Sequence, residues 1–326
     1  MSVTRAAPAP VAPPRRTRAT DSSASWPLVD RIGLALCWAA GILLCLIAGA
    51  IVIYMFVRGT QYLSLDLITS RPQAGADQAR SGGFLDPLEG TLILTVMGAG
   101  LAAPLGVATA VWLTEYGRPF WLARAVESGV EIVAGTPSIV LAIFGLIIFS
   151  NQALGFLSFT AQGGAVFGRS FFAAAAMMAL IALPLVVGAT REALQAVPGH
   201  VREASYALGK TKAATIRRVL LPAARPGIAT GTALGMGRIA GDTAIVVILL
   251  GASLQLQGAG GAPILDTLRG TGSTLTSYVY NNSPAGEGNA QQKAYAAAFV
   301  LLIAVIGLNF VVDLLGRGRK GARWAS

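Results

Sequence analysis

Six stretches of this chain are apolar over about the length needed to cross a bilayer, and that pattern excludes most folds. They fall near residues 34–57, 91–114, 126–149, 171–189, 227–250 and 294–315. A hydrocarbon core of roughly 30 Å takes about 20 helical residues. Backbone inside that core is satisfied only in helices or closed barrels. The stretches are continuous rather than alternating, so the expectation is an all-α membrane protein with six transmembrane helices. The composition agrees: 54% of residues are hydrophobic and only 12% are charged, which does not suit a soluble globule.

What lies between the spans sets the organisation. Residues 1–25 are rich in Ala, Pro, Arg, Ser and Thr and cannot build a core, so they read as a disordered basic cytoplasmic tail. Residues 26–89 hold the first span and an external loop, residues 90–316 the remaining five spans, and residues 317–326 a second basic tail. Pro104 and Pro184 fall inside spans, where neighbouring helices can satisfy the freed carbonyls. The run Gly135-Thr136-Pro137-Ser138 predicts a kink or partial unwinding of the third.

The net charge of +10 is patterned by side. The N-terminal region carries five Lys and Arg, the 115–124 turn two, the 191–222 region with the adjoining Arg225 seven and the C-terminal tail four, against six on the opposite side. That asymmetry puts both termini and the 191–222 region in the cytoplasm. The basic residues are not interleaved with aromatics, which argues against nucleic acid. Cys37 and Cys45 are eight residues apart in one span, too far along a helix for a disulfide. His200 is the only histidine, which excludes a histidine-rich metal site, and no cofactor is expected.

A polar, basic interruption, residues 191–222, reads REALQAVPGHVREASYALGKTKAATIRRVLLP. Residues 201–208 have helical spacing, with Glu203 near the start where an anion suits the helix dipole. Gly209 suits a left-handed cap. A second short, cationic helix follows over 213–220, and Pro222 pre-sets the entry to the next span. Two short helices with small side chains make a compact knob rather than a catalytic pocket, although an ordinary basic loop would share much of this pattern.

Two charges lie within the fifth span. Arg238 and Asp242 stand four residues apart in LGMGRIAGDTA, a spacing that lets them pair on one helix face. An ionised group at this depth is costly and should face a partner or a water-filled path. Mutual neutralisation and a transport role both remain open on physical grounds. The neighbouring Gly235, Gly237 and Gly241 suit close helix packing.

Residues Glu203, Ala204, Ser205, Gly209, Leu221 and Pro222 together resemble the EAA motif of binding-protein-dependent ABC import permeases, with Ser205 and Val219 replacing the usual Ala and Ile. The chain further resembles the A-type permease of phosphate-specific (Pst) importers. RIAGDTA at 238–244 is similar to that family's Arg-x-x-Gly-Glu-Thr-Ala, and LTEYG at 113–117 and EIVAGTPSI at 131–139 match two further elements. Asp242 replaces the family's usual Glu. The resemblance implies a type I ABC-importer permease fold in the bacterial cytoplasmic (inner) membrane. It makes 191–222 the coupling loop to the ATPase and sets Arg238, Asp242 and Thr243 along the phosphate path, with Asp242 orienting Arg238.

The implied partners are a C-type permease, two copies of an ABC ATPase subunit, a periplasmic or lipid-anchored phosphate-binding protein, and membrane lipid. The chain itself has no G-x-x-x-x-G-K-[ST] loop, so ATP hydrolysis is assigned to the partners and no catalytic residue is expected. A permease for phosphonate, molybdate or sulfate, or an ATP-independent carrier or channel, is the alternative.

Overall fold

The computed structural model describes residues 27–72, 82–158, 168–251, 267–283 and 290–316. The expected tails at 1–25 and 317–326 lie outside these residues. The chain divides into two compact units, 1–54 and 55–326. The first contributes most of α1 (Leu28–Tyr62), a helix whose apolar side chains are exposed along its length.

The second unit is all helix among the described residues. After α2 (Leu65–Thr69), capped by the Ser64 hydroxyl, come α3 (Leu85–Val111) and a π-helical turn over Trp112–Tyr116. Next are α4 (Phe120–Gly135) and α5 (Ser138–Phe149), then α6 (Phe171–Gln195). Two short helices, α7 (Gly199–Ala207) and α8 (Lys212–Thr215), precede α9 (Leu221–Gly241) and α10 (Ala244–Leu249). The last are α11 (Leu275–Asn282) and α12 (Gln291–Gly316).

The core is α3, α6 and α9, held together by glycines at points of close approach. A Cβ added at Gly106 would lie 2.8 Å from the Val186 Cβ, and one at Gly227 would lie 2.3 Å from the Ala193 Cβ. Gly231 and Gly235 meet Ala189 and Ala182 in the same way. In lipid the hydrophobic effect gives helices no reason to associate, so this close van der Waals packing carries the association. Fully buried Leu94, Phe171, Met178, Ile239, Ile245 and Leu249 fill the space between.

The described helices do not match the six expected spans one for one. Four described helices are long and apolar enough to cross a membrane: Leu28–Tyr62, Leu85–Tyr116, Phe171–Gln195 and Gln291–Gly316. A fifth is counted only if α4 and α5 are taken together, and they are bent by 110°. The expected kink is thus a full change of direction. Pro137 drives it: it supplies no N–H to a continuing helix and pushes Thr136 into extended backbone at φ −79°, ψ 130°. The expected span at 227–250 is also divided, into α9 and α10, and the Gly, Thr and Arg content of α9 leaves it less apolar than a lone span. The helix of the second expected span, α3, begins at Leu85 rather than near 91, because Asp86 and Pro87 suit a first turn. Helices α3 and α6 run unbroken through Pro104 and Pro184, as expected.

Candidate functional site

Two regions carry the candidate residues. The first is the knob between α6 and α9. Helix α7 starts at Gly199, behind Pro198, so Glu203 sits one turn in rather than in the first turn, and it is exposed. The helix dipole therefore does little for Glu203. Gly209 adopts φ +74°, and the expected left-handed cap is complete: Gly209 N–H donates to Tyr206 O and Lys210 N–H to Ser205 O, at 2.9 and 3.2 Å.

The chain then turns into α8, capped by Thr211. From there it runs through a π turn at Ile216–Leu220 into α9, with Pro222 in the first turn of that helix. Ser205, where the motif has Ala, shares a buried hydrogen bond of 2.8 Å with Thr215, pinning the two short helices together. Leu220 is fully buried and packs with Leu194, Val197, Ile216 and Ala224, with Leu221 at the margin. The outer face presents Glu203, Ala204, Tyr206 and Leu208, the last 79% exposed.

Residues outside the motif anchor this knob. Arg202 donates from Nη1 to Val197 O and from Nη2 to Leu194 O, both at 2.7 Å, and from Nε to the Glu115 carboxylate at 3.3 Å. Glu115 is nearly buried and sits in the π turn after α3. Lys212 donates to the Glu115 carbonyl and lies over the Tyr116 ring at 4.6 Å. Trp112, Glu115, Tyr116, Arg118 and Lys212 line an open cleft beside the knob. Arg191, at the end of α6, pairs with Glu127 of α4 at 2.6 Å. Sequence reading treated these cations as topology signals and missed their partners. Arg202 adjoins Glu203 and Glu115 stands in the 113–117 element, but 87 residues separate the two and neither signals the other.

The second region is the break between α9 and α10. Helix α9 ends at Gly241, and Asp242 is extended at φ −79°, ψ 130°. The Asp242 carboxylate accepts from the Ile245 N–H at 3.0 Å, so it caps α10, and it is buried. No ion pair joins Arg238 and Asp242. The expected i to i+4 pair fails because the helix stops before Asp242. Arg238 is exposed on the chain's surface and makes no hydrogen bond or ion pair among the described residues.

Around Arg238, Gly237 and Gly241 have nothing within 4 Å of an added Cβ, so of the three glycines only Gly235 serves packing. Thr243 starts α10 without a side-chain capping bond and is partly buried. The Thr276 hydroxyl donates to the Asp242 carbonyl at 3.3 Å and shares a hydrogen bond with Thr274 at 2.7 Å. The Leu275 N–H donates to the Thr91 hydroxyl of α3 at 2.9 Å. Outside the spans, burial pushes the Tyr278 phenol on α11 up to about 12. Among the described residues no group of three or more His, Cys, Asp or Glu could hold a metal ion.

Comparison with known proteins gives this geometry a context. Residues 102–318 match the family described as binding-protein-dependent transport system inner membrane component. The phosphate transport system permease protein PstA 1 of Mycobacterium tuberculosis is 37% identical over 235 residues, covering 72% of this chain and 70% of that protein. PstC, a phosphate transport system permease of Mesorhizobium japonicum, is 27% identical, covering 87% and 89%. Among solved structures, a bacterial ABC transporter involved in import of the acidic polysaccharide alginate shares the fold at a TM-score of 0.58 and 15% identity. That match covers 90% of this chain and 99% of the other.

Proposed function

The chain belongs to the family of binding-protein-dependent transport system inner membrane components, and on that premise we propose that it is the A-type permease subunit of an ATP-driven phosphate importer. Such a permease forms a path and does not hydrolyse ATP. The knob at 191–222 docks on a partner ATPase subunit. A C-type permease completes the path, two ATPase copies supply the power stroke, and an external binding protein delivers phosphate. Both termini and the knob face the cytoplasm, as the charge asymmetry supports.

The observation that carries the substrate assignment is Arg238: exposed on a gapped helix, flanked by open glycines and without an ionic partner among the described residues. A guanidinium at this depth is too costly to face lipid. Facing a path shared with the second permease, it offers planar donors to a tetrahedral oxyanion. Asp242 contributes by shaping the break rather than by holding Arg238, and Thr243 lies at the same break. Greater identity to a PstA protein than to a PstC protein supports the A-type assignment.

The test is uptake by the purified four-subunit complex in proteoliposomes, with binding protein outside and ATP inside. Labelled phosphate should accumulate, and labelled sulfate and molybdate should not. Accumulation of either competitor instead would overturn phosphate while leaving import intact, and accumulation without ATP would overturn ATP-driven import altogether.

A further inference from the structure

We propose that Arg202 and Glu115 join the docking knob and α3 into one mechanical unit, making Arg202 a positioning residue for ATP-coupled transport. The proposal rests on the import-permease function but not on the identity of the anion. Covalently, the knob hangs between Val197-Pro198 at one end and the α8–α9 passage at the other. With only those links it would swivel about the extended Pro198, whose φ and ψ are −57° and 141°. The Arg202 guanidinium removes that freedom. Two of its nitrogens take up the Leu194 and Val197 carbonyls at the end of α6, and the third reaches Glu115, 87 residues away in sequence.

The tie is built to hold. Glu115 is 8% exposed and Arg202 23%, so the pair is shielded from salt and water far better than a surface pair. Lys212, from the far side of the knob, reaches the Glu115 carbonyl and covers Tyr116. Val111 of α3 packs on the Leu194–Leu220 cluster. Polar and apolar contacts thus converge on the same turn, where a π-helical segment departs from the regular helix, a feature often found at functional positions.

From that turn α3 carries displacement outward. At Gly98 an added Cβ would lie 3.0 Å from the Ile239 Cδ1, so α3 bears directly on the residue next to Arg238. At its opposite end Thr91 holds the α11 backbone through Leu275, and α11 holds the break through Thr276 and the Asp242 carbonyl. A pull on the knob therefore reaches both the helix beside Arg238 and the far-side helix through one rigid element. Arginine suits the joint where lysine would not, because three acceptors in a fork need a planar donor set.

Two measurements test this. In a complex with Cys37 and Cys45 replaced by Ser, spin labels at Lys210→Cys and Arg118→Cys report the distance between knob and α3 turn. It should change by less than about 2 Å between the nucleotide-free and vanadate-trapped states, and the same labels with Arg202→Met should shift or broaden on trapping. A larger change with Arg202 present would overturn the proposal.

The second measurement is the ratio of binding-protein-stimulated to basal ATPase activity, which Arg202→Met and Glu115→Gln should lower at least about fivefold. Arg202→Lys should be intermediate, and the ATPase should still copurify in each case. A wild-type ratio in both Arg202→Met and Glu115→Gln would also overturn the proposal. Glu115→Gln, which keeps the side-chain shape, serves if Arg202→Met does not assemble. The distance measurement needs no transported anion, so stimulation by sulfate instead of phosphate would remove the substrate assignment and leave this joint standing.

Discussion

Asp242 accepts the Ile245 N–H at 3.0 Å, one helical turn beyond Arg238, and that bond separates the roles of the two charges. The carboxylate is used within the chain to start α10 after a two-residue break. The guanidinium has no hydrogen-bond or ionic partner among the described residues. A helix gap held by a side-chain cap on one side and by Thr276 on the other gives irregular backbone at depth the internal partners that lipid cannot supply.

Asp242→Asn keeps an acceptor for the Ile245 N–H and loses only charge, whereas Asp242→Ala loses the cap. The Ala variant should destabilise the subunit by about 1 kcal/mol, the usual worth of an N-cap. The Asn variant should melt near wild type and retain most uptake. A thermal melt and an uptake assay on the same preparations check this, and abolished uptake in Asp242→Asn would return the carboxylate to the transport path.

Arg238→Ala should reduce phosphate uptake at least about tenfold, the loss of one charge-assisted contact, with assembly unchanged. Arg238→Lys should retain part of the activity, since an ammonium supplies charge without the planar fork. Uptake at the wild-type rate in Arg238→Ala, in a complex of normal yield, would remove Arg238 from the path.

The parts of this molecule that local chemistry dictates could be read from residue order alone. The Gly209 cap, Pro222 in a helix first turn and the unbroken passage through Pro104 and Pro184 all follow from a residue and its neighbours. What could not be read depends on distant partners. Nothing near Arg202 in sequence announces Glu115, and the spacing of Arg238 and Asp242 implied a pair only on the assumption of a continuous helix. Gly235 and Gly237 looked alike until one proved to meet Ala182 and the other open space.

That contrast makes a packing prediction. Gly227→Ala and Gly106→Ala would drive a methyl group into Ala193 and Val186 and should destabilise the bundle by about 1–3 kcal/mol, the cost of overpacking. Gly237→Ala meets no atom and replaces a helix-interior glycine, so it should be neutral or stabilising by up to about 1 kcal/mol. Unfolding of the isolated subunit in mixed micelles reports all three, and equal effects would contradict the close approach.

Tyr278 gives a pH signature to the far-side helix. Burial raises its phenol from 10.0 to about 12, so the folded protein holds this proton more tightly than the unfolded chain. The resulting stability is fully present below pH 10 and is lost as pH rises through about 12. Ultraviolet titration should show one tyrosine ionising after the others, and Tyr278→Phe should remove that late step. A titration with no late step would contradict the burial.

Ser205 and Thr215 provide the sharpest energetic test, because each is buried and each is the other's partner at 2.8 Å. Ser205→Ala restores the residue usual in the motif, yet here it strands the Thr215 hydroxyl, and an unsatisfied buried polar group costs about 1–3 kcal/mol. Thr215→Val strands Ser205 at similar cost. The double variant removes both polar groups and fills the space with methyl groups, so its loss should be smaller than either single loss. A double-mutant cycle measured by thermal unfolding should show coupling at least as large as either single loss, about 1 kcal/mol or more. Additive losses would mean that the two short helices are held by apolar packing alone, and the serine would then be a neutral departure from the motif.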